Sequence, residues 1–175
     1  GWLMQEGWMT PLGAGEIDHS FITKITTSAS NEGHIPEHAI DTMTNNGIIV
    51  NNMSTFWQSQ TAQKKNSAEI LIELDKTRCF DRIVVETGPD HTGDYLRGAV
   101  VWMSNNWKDW FSADNITVDE SKISEGIITV RTGEQFAKYI ALRPGRASEN
   151  GQFWTVANIS LCMTDEYTVR NHLIR

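Results

Sequence analysis

The 175-residue sequence predicts an all-β domain of the sandwich type. Short runs of β-branched and aliphatic residues recur along most of the chain. Clusters of Gly, Asn, Asp, Ser and Pro separate them. No helical period alternates with them. Seven or more short strands with turn signals between them point to a sandwich. The missing alternation of helix and strand sets aside a parallel α/β sheet.

Taken in order, residues 1–20 are rich in Gly and Met without a clear period, and read as a lead-in segment or linker remnant of an excised or mature chain. FITKITTSAS (21–30) alternates and is rich in Thr, which suits a first strand. HIPEHAIDTM (34–43) is the one good helical candidate, one or two turns long. SAEILIEL (67–74) alternates acidic and aliphatic residues. DRIVVET (81–87), GAVVWMS (98–104), GIITVRT (126–132), KYIALRP (138–144) and TVANISLCM (155–163) complete the strands. PDHTGD, SNN, SADN, SEG, TGE and PGRASENGQ are the turns between them. The sandwich is expected over 21–165, with a tail at 166–175.

Composition narrows the partners. Asp and Glu number 22 against 15 Lys and Arg, a net charge of -7. That argues against a nucleic-acid backbone and against an anionic membrane surface. No apolar run approaches membrane-spanning length. Trp is unusually frequent at seven residues; most of the rings are expected in the core, and some on display for stacking against flat ligand faces. Cys79 and Cys162 have no metal-binding spacing, and the sequence leaves open two buried thiols or one disulfide across the fold. Asn52, Asn115 and Asn158 open glycosylation sequons that matter only in a eukaryotic secretory setting. The five His residues have no HxxxH or HxH spacing, so no transition-metal site is expected.

Five stretches together resemble a known family. SASNEGHIPEHAIDTMTNNG followed by STFWQS is similar to an opening in which "A-ID-G" precedes "T-x-W-x-S". AEILIELDKTRCFDRIVVET resembles the strand, turn and strand that come next. GDYLRGAVVWMSNNWKDW resembles "DYPRGYEVYVSNDGxxW", FAKYIALRP resembles "ARYIRL", and FWTVANISL resembles "WWSIAELNV". Found in this order over roughly residues 22–163, they resemble the discoidin domains (coagulation-factor type C domains), and most closely the family 32 carbohydrate-binding modules. The resemblance implies a galactose-binding-like jelly-roll β-sandwich. The chain departs from the pattern in four places. Leu96 replaces a Pro, Asn105-Asn106-Trp107 replaces the "NDG" turn, IIVNNM is inserted after Asp41, and Asn158 stands where Glu is usual.

The resemblance also implies a structural Ca²⁺ near the opening. Matched residue by residue, Asp41 supplies a carboxylate, Thr55 a hydroxyl or carbonyl, Asn158 an amide oxygen, and His38 and Thr44 backbone carbonyls. Ca²⁺ takes six to eight oxygens in irregular geometry, so this set is chemically sensible. The carboxylate lost at Asn158 weakens it. The same residues also suit a turn, with Asp41 bonded to nearby amides.

For the ligand, the resemblance points to loops at one end of the sandwich: Asn31 and Glu32, Gln58, Asp94, Tyr95 and Arg97, and Phe153. Sugars present vicinal hydroxyls, which a guanidinium fork can bridge, and a C–H face that suits an aromatic ring. Strand alternation supports two of these positions independently. Gln58 follows Trp57 and Phe153 precedes Trp154, so burial of the two indoles turns both residues the other way. Arg97 has a plain alternative, a brace for its own loop through Asp94 or Asp90.

No GxSxG, Ser–His–Asp order, HExxH or phosphate loop appears. The resemblance implies a carbohydrate-binding module, and the missing catalytic motifs make the expectation a non-catalytic one. It would target a larger secreted or cell-surface protein to a glycan, linked to other domains, without membrane insertion. The alternative is a discoidin-type adhesion domain that binds protein or lipid.

Overall fold

The structure is a computed structural model that describes residues 19–163. Eleven strands are assigned among these residues: β1 (Ile22–Thr27), β2 (Thr42–Asn45), β3 (Ile48–Asn51), β4 (Trp57–Ala62), β5 (Ile70–Glu86), β6 (Val100–Ser104), β7 (Trp110–Ser112), β8 (Thr117–Asp119), β9 (Ile127–Arg143), β10 (Phe153–Val156) and β11 (Asn158–Cys162). All the pairings are antiparallel.

Two long strands organise the fold. SAEILIEL and DRIVVET are the two ends of β5, and GIITVRT and KYIALRP are the two ends of β9. They pair from Ile70↔Leu142 to Glu86↔Ile127, with register shifts between Glu73 and Arg78 and between Phe80 and Arg82. Bulges of this kind bend strands and raise their twist. They divide the ladder into two wings. One carries β1, β6 and β7, and the other carries β11 and β8. β4 and β10 form a separate two-stranded sheet.

The core lies between these layers. Ile70, Ile72 and Leu74 alternate into it from β5, Val101 and Met103 from β6, and Ile140 and Leu142 from β9. Trp57 and Trp154 close it from the β4–β10 sheet, both fully buried, with rings edge-to-face at 5.0 Å. Pairs in this arrangement gain about 0.5–1.5 kcal/mol beyond area burial.

The helical candidate at 34–43 is realised only as a 3-10 turn, Pro36–Ala39. Thr42 and Met43 instead start β2, and the inserted IIVNNM supplies β3, so the departure from the family pattern is a β-hairpin. Trp102 is half-buried on the outer face, because Val101 and Met103 hold the inward parity. The thiol of Cys79 donates to Met163 Sδ at 3.9 Å, while Cys162 is buried opposite Arg82.

Candidate functional site

Four separate segments converge beside the β4–β10 sheet. Asn31, in the turn after β1, is held by its backbone N–H to the Gln58 carbonyl at 3.0 Å. Its side-chain amide donates to Gln58 Oε1 at 2.6 Å. Gln58 Nε2 donates to Thr155 Oγ1 at 3.0 Å, and Thr155 Oγ1 donates to Asp94 Oδ2 at 2.9 Å. The pairing Thr155↔Gln58 fixes the centre of this row. Asp94 reaches it from the 3-10 turn Thr92–Asp94. An aromatic wall stands beside the row. His91 Nδ1 lies 3.6 Å from Asp94 Oδ2, its ring tilts against Phe56 at 4.5 Å, and Phe56 stacks on His34 at 4.2 Å.

Each amide and carboxylate in the row is only partly engaged. An amide has two N–H donors and an oxygen with two lone pairs, and an ionised carboxylate has about four acceptor sites. Asn31, Gln58 and Asp94 therefore retain donors and acceptors for hydroxyls at fixed spacing.

Arg97 does not join this row, which corrects the expected gripping fork. The residue is 2% exposed. Its Nη1 donates to the carbonyls of Gly93 at 2.7 Å and Tyr95 at 2.8 Å, and its Nη2 donates to Glu149 at 2.9 Å. The guanidinium also lies 3.6 Å from the Tyr95 ring centroid. It braces the loop, as in the plain alternative, but with Glu149 as partner in place of Asp94 or Asp90. Gly98 completes the brace. Its φ of +63° suits glycine, and an added Cβ would stand 3.1 Å from Gly145 Cα. Tyr95 is likewise part of the support: its carbonyl accepts from Gln63 Nε2 at 2.9 Å. The Arg97 guanidinium holds the Glu149 carboxyl below its ordinary range, mainly through their hydrogen bond.

Of the remaining expected ligand residues, Glu32 is exposed in the same turn as Asn31. Phe153 is 37% exposed next to the fully buried Trp154, as parity requires. Its partner in the ladder is Ala62, and a register shift separates it from Thr155. Reasoning from sequence missed Thr155, His34, Phe56 and His91. Sequence hinted at one of them, Phe56, since parity puts Phe56 and Gln58 on the face opposite Trp57.

The expected Ca²⁺ ligands lie near the same end. Thr55 Oγ1 donates to Asp41 Oδ2 at 2.6 Å. Asn158 Nδ2 donates to Glu86 at 2.8 Å and to Ser160 at 3.0 Å. Asp41 Oδ1, Asn51 Oδ1 and Asn158 Oδ1 are buried without a hydrogen-bond donor. Gly88 (φ +86°) lies between the chain at Met53 and the chain at Ala157: an added Cβ would stand 2.8 Å from the Met53 carbonyl and 3.1 Å from Ala157 Cβ. Buried acceptors without donors are costly, and an oxygen-seeking cation would relieve them. His38 stays on the 3-10 turn, which packs on β11. Thr44 is a correction: it is exposed and paired with Ile49 in the hairpin, about 10 Å along an extended chain from Asp41. Among the described residues, no three of His, Cys, Asp and Glu gather as a metal cluster, so the donors available here are mainly amide and carbonyl oxygens.

The sequence profile of the F5/8 type C domain matches residues 24–159. The chain belongs to that family. Solved structures carry the same F5/8 type C fold. One is a tandem of the CBM32-1 and CBM32-2 domains from Clostridium perfringens ZmpB, in complex with GalNAc. It is 13% identical with a TM-score of 0.67, over 89% of this chain and 38% of that one. Another is CBM32-5 of the Clostridium perfringens protein CpGH89, in complex with GalNAc-β-1,3-galactose. It is 13% identical with a TM-score of 0.64, over 84% of this chain and 99% of that one. A third is the CBM32 of AlyQ in complex with 4,5-unsaturated mannuronic acid, 16% identical with a TM-score of 0.61, over 85% and 98%. The chain thus spans well under half of the tandem and nearly all of the single modules. No curated protein matches it by sequence. At these identities the likeness is one of fold.

Proposed function

We propose that this F5/8 type C domain is a non-catalytic carbohydrate-binding module. The observation that carries the reading is the hydrogen-bonded row Asn31–Gln58–Thr155–Asp94, flanked by the His34–Phe56–His91 wall. Hydroxyls of a sugar ring bond the row while its C–H face rests against the wall. The similarity in fold to modules solved with GalNAc and with an unsaturated mannuronic acid supports a saccharide ligand. The affinity is modest, because hydroxyl bonds to the protein replace bonds to water. As one module of a longer secreted or surface chain, the domain serves by holding its neighbours near a glycan. A glycan array followed by calorimetry tests this. Asn31→Ala/Gln58→Ala is expected to lower affinity for any array hit at least tenfold at unchanged melting temperature. Unchanged affinity would remove the site.

A Ca²⁺ ion fits beside this site. Asp41, Asn51 and Asn158 offer oxygens that have no donor, and Thr55 positions Asp41. The ion would supply charge to pin the chain at 41, 51–55 and 158, and takes no part in chemistry.

The adhesion reading has one observation of its own. The β2–β3 hairpin exposes Met43 at 47% and Ile49 at 49%. Sedimentation with phosphatidylserine vesicles decides it: binding that is lost in Met43→Ser/Ile49→Ser supports a lipid spike, and no binding to vesicles dismisses it.

A further inference from the structure

A second cleft lies on the outer face of the β5–β9–β6 wing, away from the loop site. Its floor is a lateral row, Leu71–Ala141–Trp102, set by the pairings Leu71↔Ala141 and Trp102↔Ala141. The small Ala141 at the middle of the row leaves a hollow of about 450 Å³, within the range of small-ligand sites. Trp107 and Trp110 wall one side. The other edge is the ion pair Arg143–Glu69, 2.7 Å between Nε and Oε2, each partner about one-third exposed. β6 is five residues long and runs from the Arg97 loop toward this cleft, so the β6–β7 turn stands about 17 Å from that loop.

The turn holding the indoles is strained. Trp107 has φ +69°, in the region that bulky side chains avoid, and it is nevertheless 54% exposed. Neighbours fix it there. Ser104 Oγ accepts from Trp107 N–H at 3.0 Å, Asn106 Oδ1 accepts from Asp109 N–H at 2.8 Å, and Trp110 Nε1 donates to the Trp107 carbonyl at 3.1 Å. Tyr139 supports the ring edge-on at 5.1 Å. Glycine would take this backbone without steric strain. A large aromatic held in this conformation and still half-exposed costs stability, the pattern of strain kept for function.

We propose that this cleft is a second saccharide site, taking a neutral polysaccharide chain across the sheet face. Indole faces receive the C–H face of a sugar ring. The Arg143–Glu69 pair has no net charge, so it presents both donors and acceptors to hydroxyls while favouring neither anionic nor cationic chains. The choice of a saccharide rests on the reading of the domain as a glycan binder, but the surface is separate from the loop site.

Affinity electrophoresis in gels containing a soluble galactan, a glucomannan or a mixed-linkage β-glucan tests it, with analytical sedimentation alongside. Wild-type protein is expected to be retarded by at least one of them. Trp107→Gly/Trp110→Ala should abolish that retardation at an unchanged or higher melting temperature, since glycine relieves the strained φ. Asn31→Ala/Gln58→Ala should keep it, so that failure of the loop site and failure of the cleft are told apart. Retardation of the tryptophan variant equal to wild type, or no retardation of wild type in any gel, overturns the proposal. Self-association lost in the tryptophan variant, without retardation, gives the face to a second copy and overturns it too.

Discussion

At Arg97 a cation is enclosed, and its effects belong to stability. Removing the guanidinium takes a charged donor from the carbonyls of Gly93 and Tyr95, empties the space its side chain fills and releases the clamp on the loop. Arg97→Ala is expected to cost roughly 2–4 kcal/mol, since hydrogen bonds to a charged group are worth about 1.5–3 kcal/mol and a large enclosed side chain is removed with them. That is a fall of roughly 5–15 °C in melting temperature. A melting temperature within 2 °C of wild type would contradict the brace. The clamp also has a pH signature. The Glu149 carboxyl lies below its ordinary value of 4.5, chiefly through the Arg97 hydrogen bond. A depressed carboxyl adds stability above its unfolded pKa and loses it as pH falls through the folded one. Thermal melts should therefore show a loss below about pH 4.5 that Glu149→Gln lacks. Legibility at this scale follows parity. Gln58 and Phe153 were readable because each adjoins a buried indole. Arg97 was misread because its partner Glu149 is 52 residues away in a turn rich in Gly, Ser and Asn, where no period indicates who meets whom.

The paired elements β5 and β9 form the stable body, while β2–β3 is a two-stranded hairpin outside that ladder. Isolated two-stranded hairpins are marginal in water, and central strands open only near global unfolding. Hydrogen exchange should therefore give its slowest amides at 82–86 and 127–131 and fast exchange at 42–51. Equal protection in both would show that the hairpin belongs to the cooperative core. From sequence, both ends of each long strand were visible as alternating runs. Their continuity was not, because LDKTRCFD and TGEQFAK carry the bulges and exposed bends in residues that also make turns. The helix expected at 34–43 failed for a related reason: Thr42, Met43 and Thr44 pair with Ile49, Val50 and Asn51, a tertiary choice that local propensity does not encode.

For the whole molecule, the family was legible because five motifs keep their order through a framework of core positions, and the profile match over residues 24–159 agrees. What such a framework binds is decided at its loops. A bound ion would act on the whole fold by mass action: at 100 times its Kd, Ca²⁺ adds about 2.7 kcal/mol to stability. Chelator should lower the melting temperature, added Ca²⁺ should restore it, and Asp41→Asn should remove the response. No shift in wild type would exclude the ion. The central claim, that Asn31, Gln58, Asp94 and Thr155 form a saccharide site, is tested most directly by amide chemical-shift mapping. Labelled protein is titrated with GalNAc, galactose and a neutral oligosaccharide mixture. The account predicts saturable shifts in the Asn31 and Gln58 side-chain amides and in the backbone of 91–95 and 153–156. Saturating shifts confined to other surfaces, or none with any sugar, would contradict it.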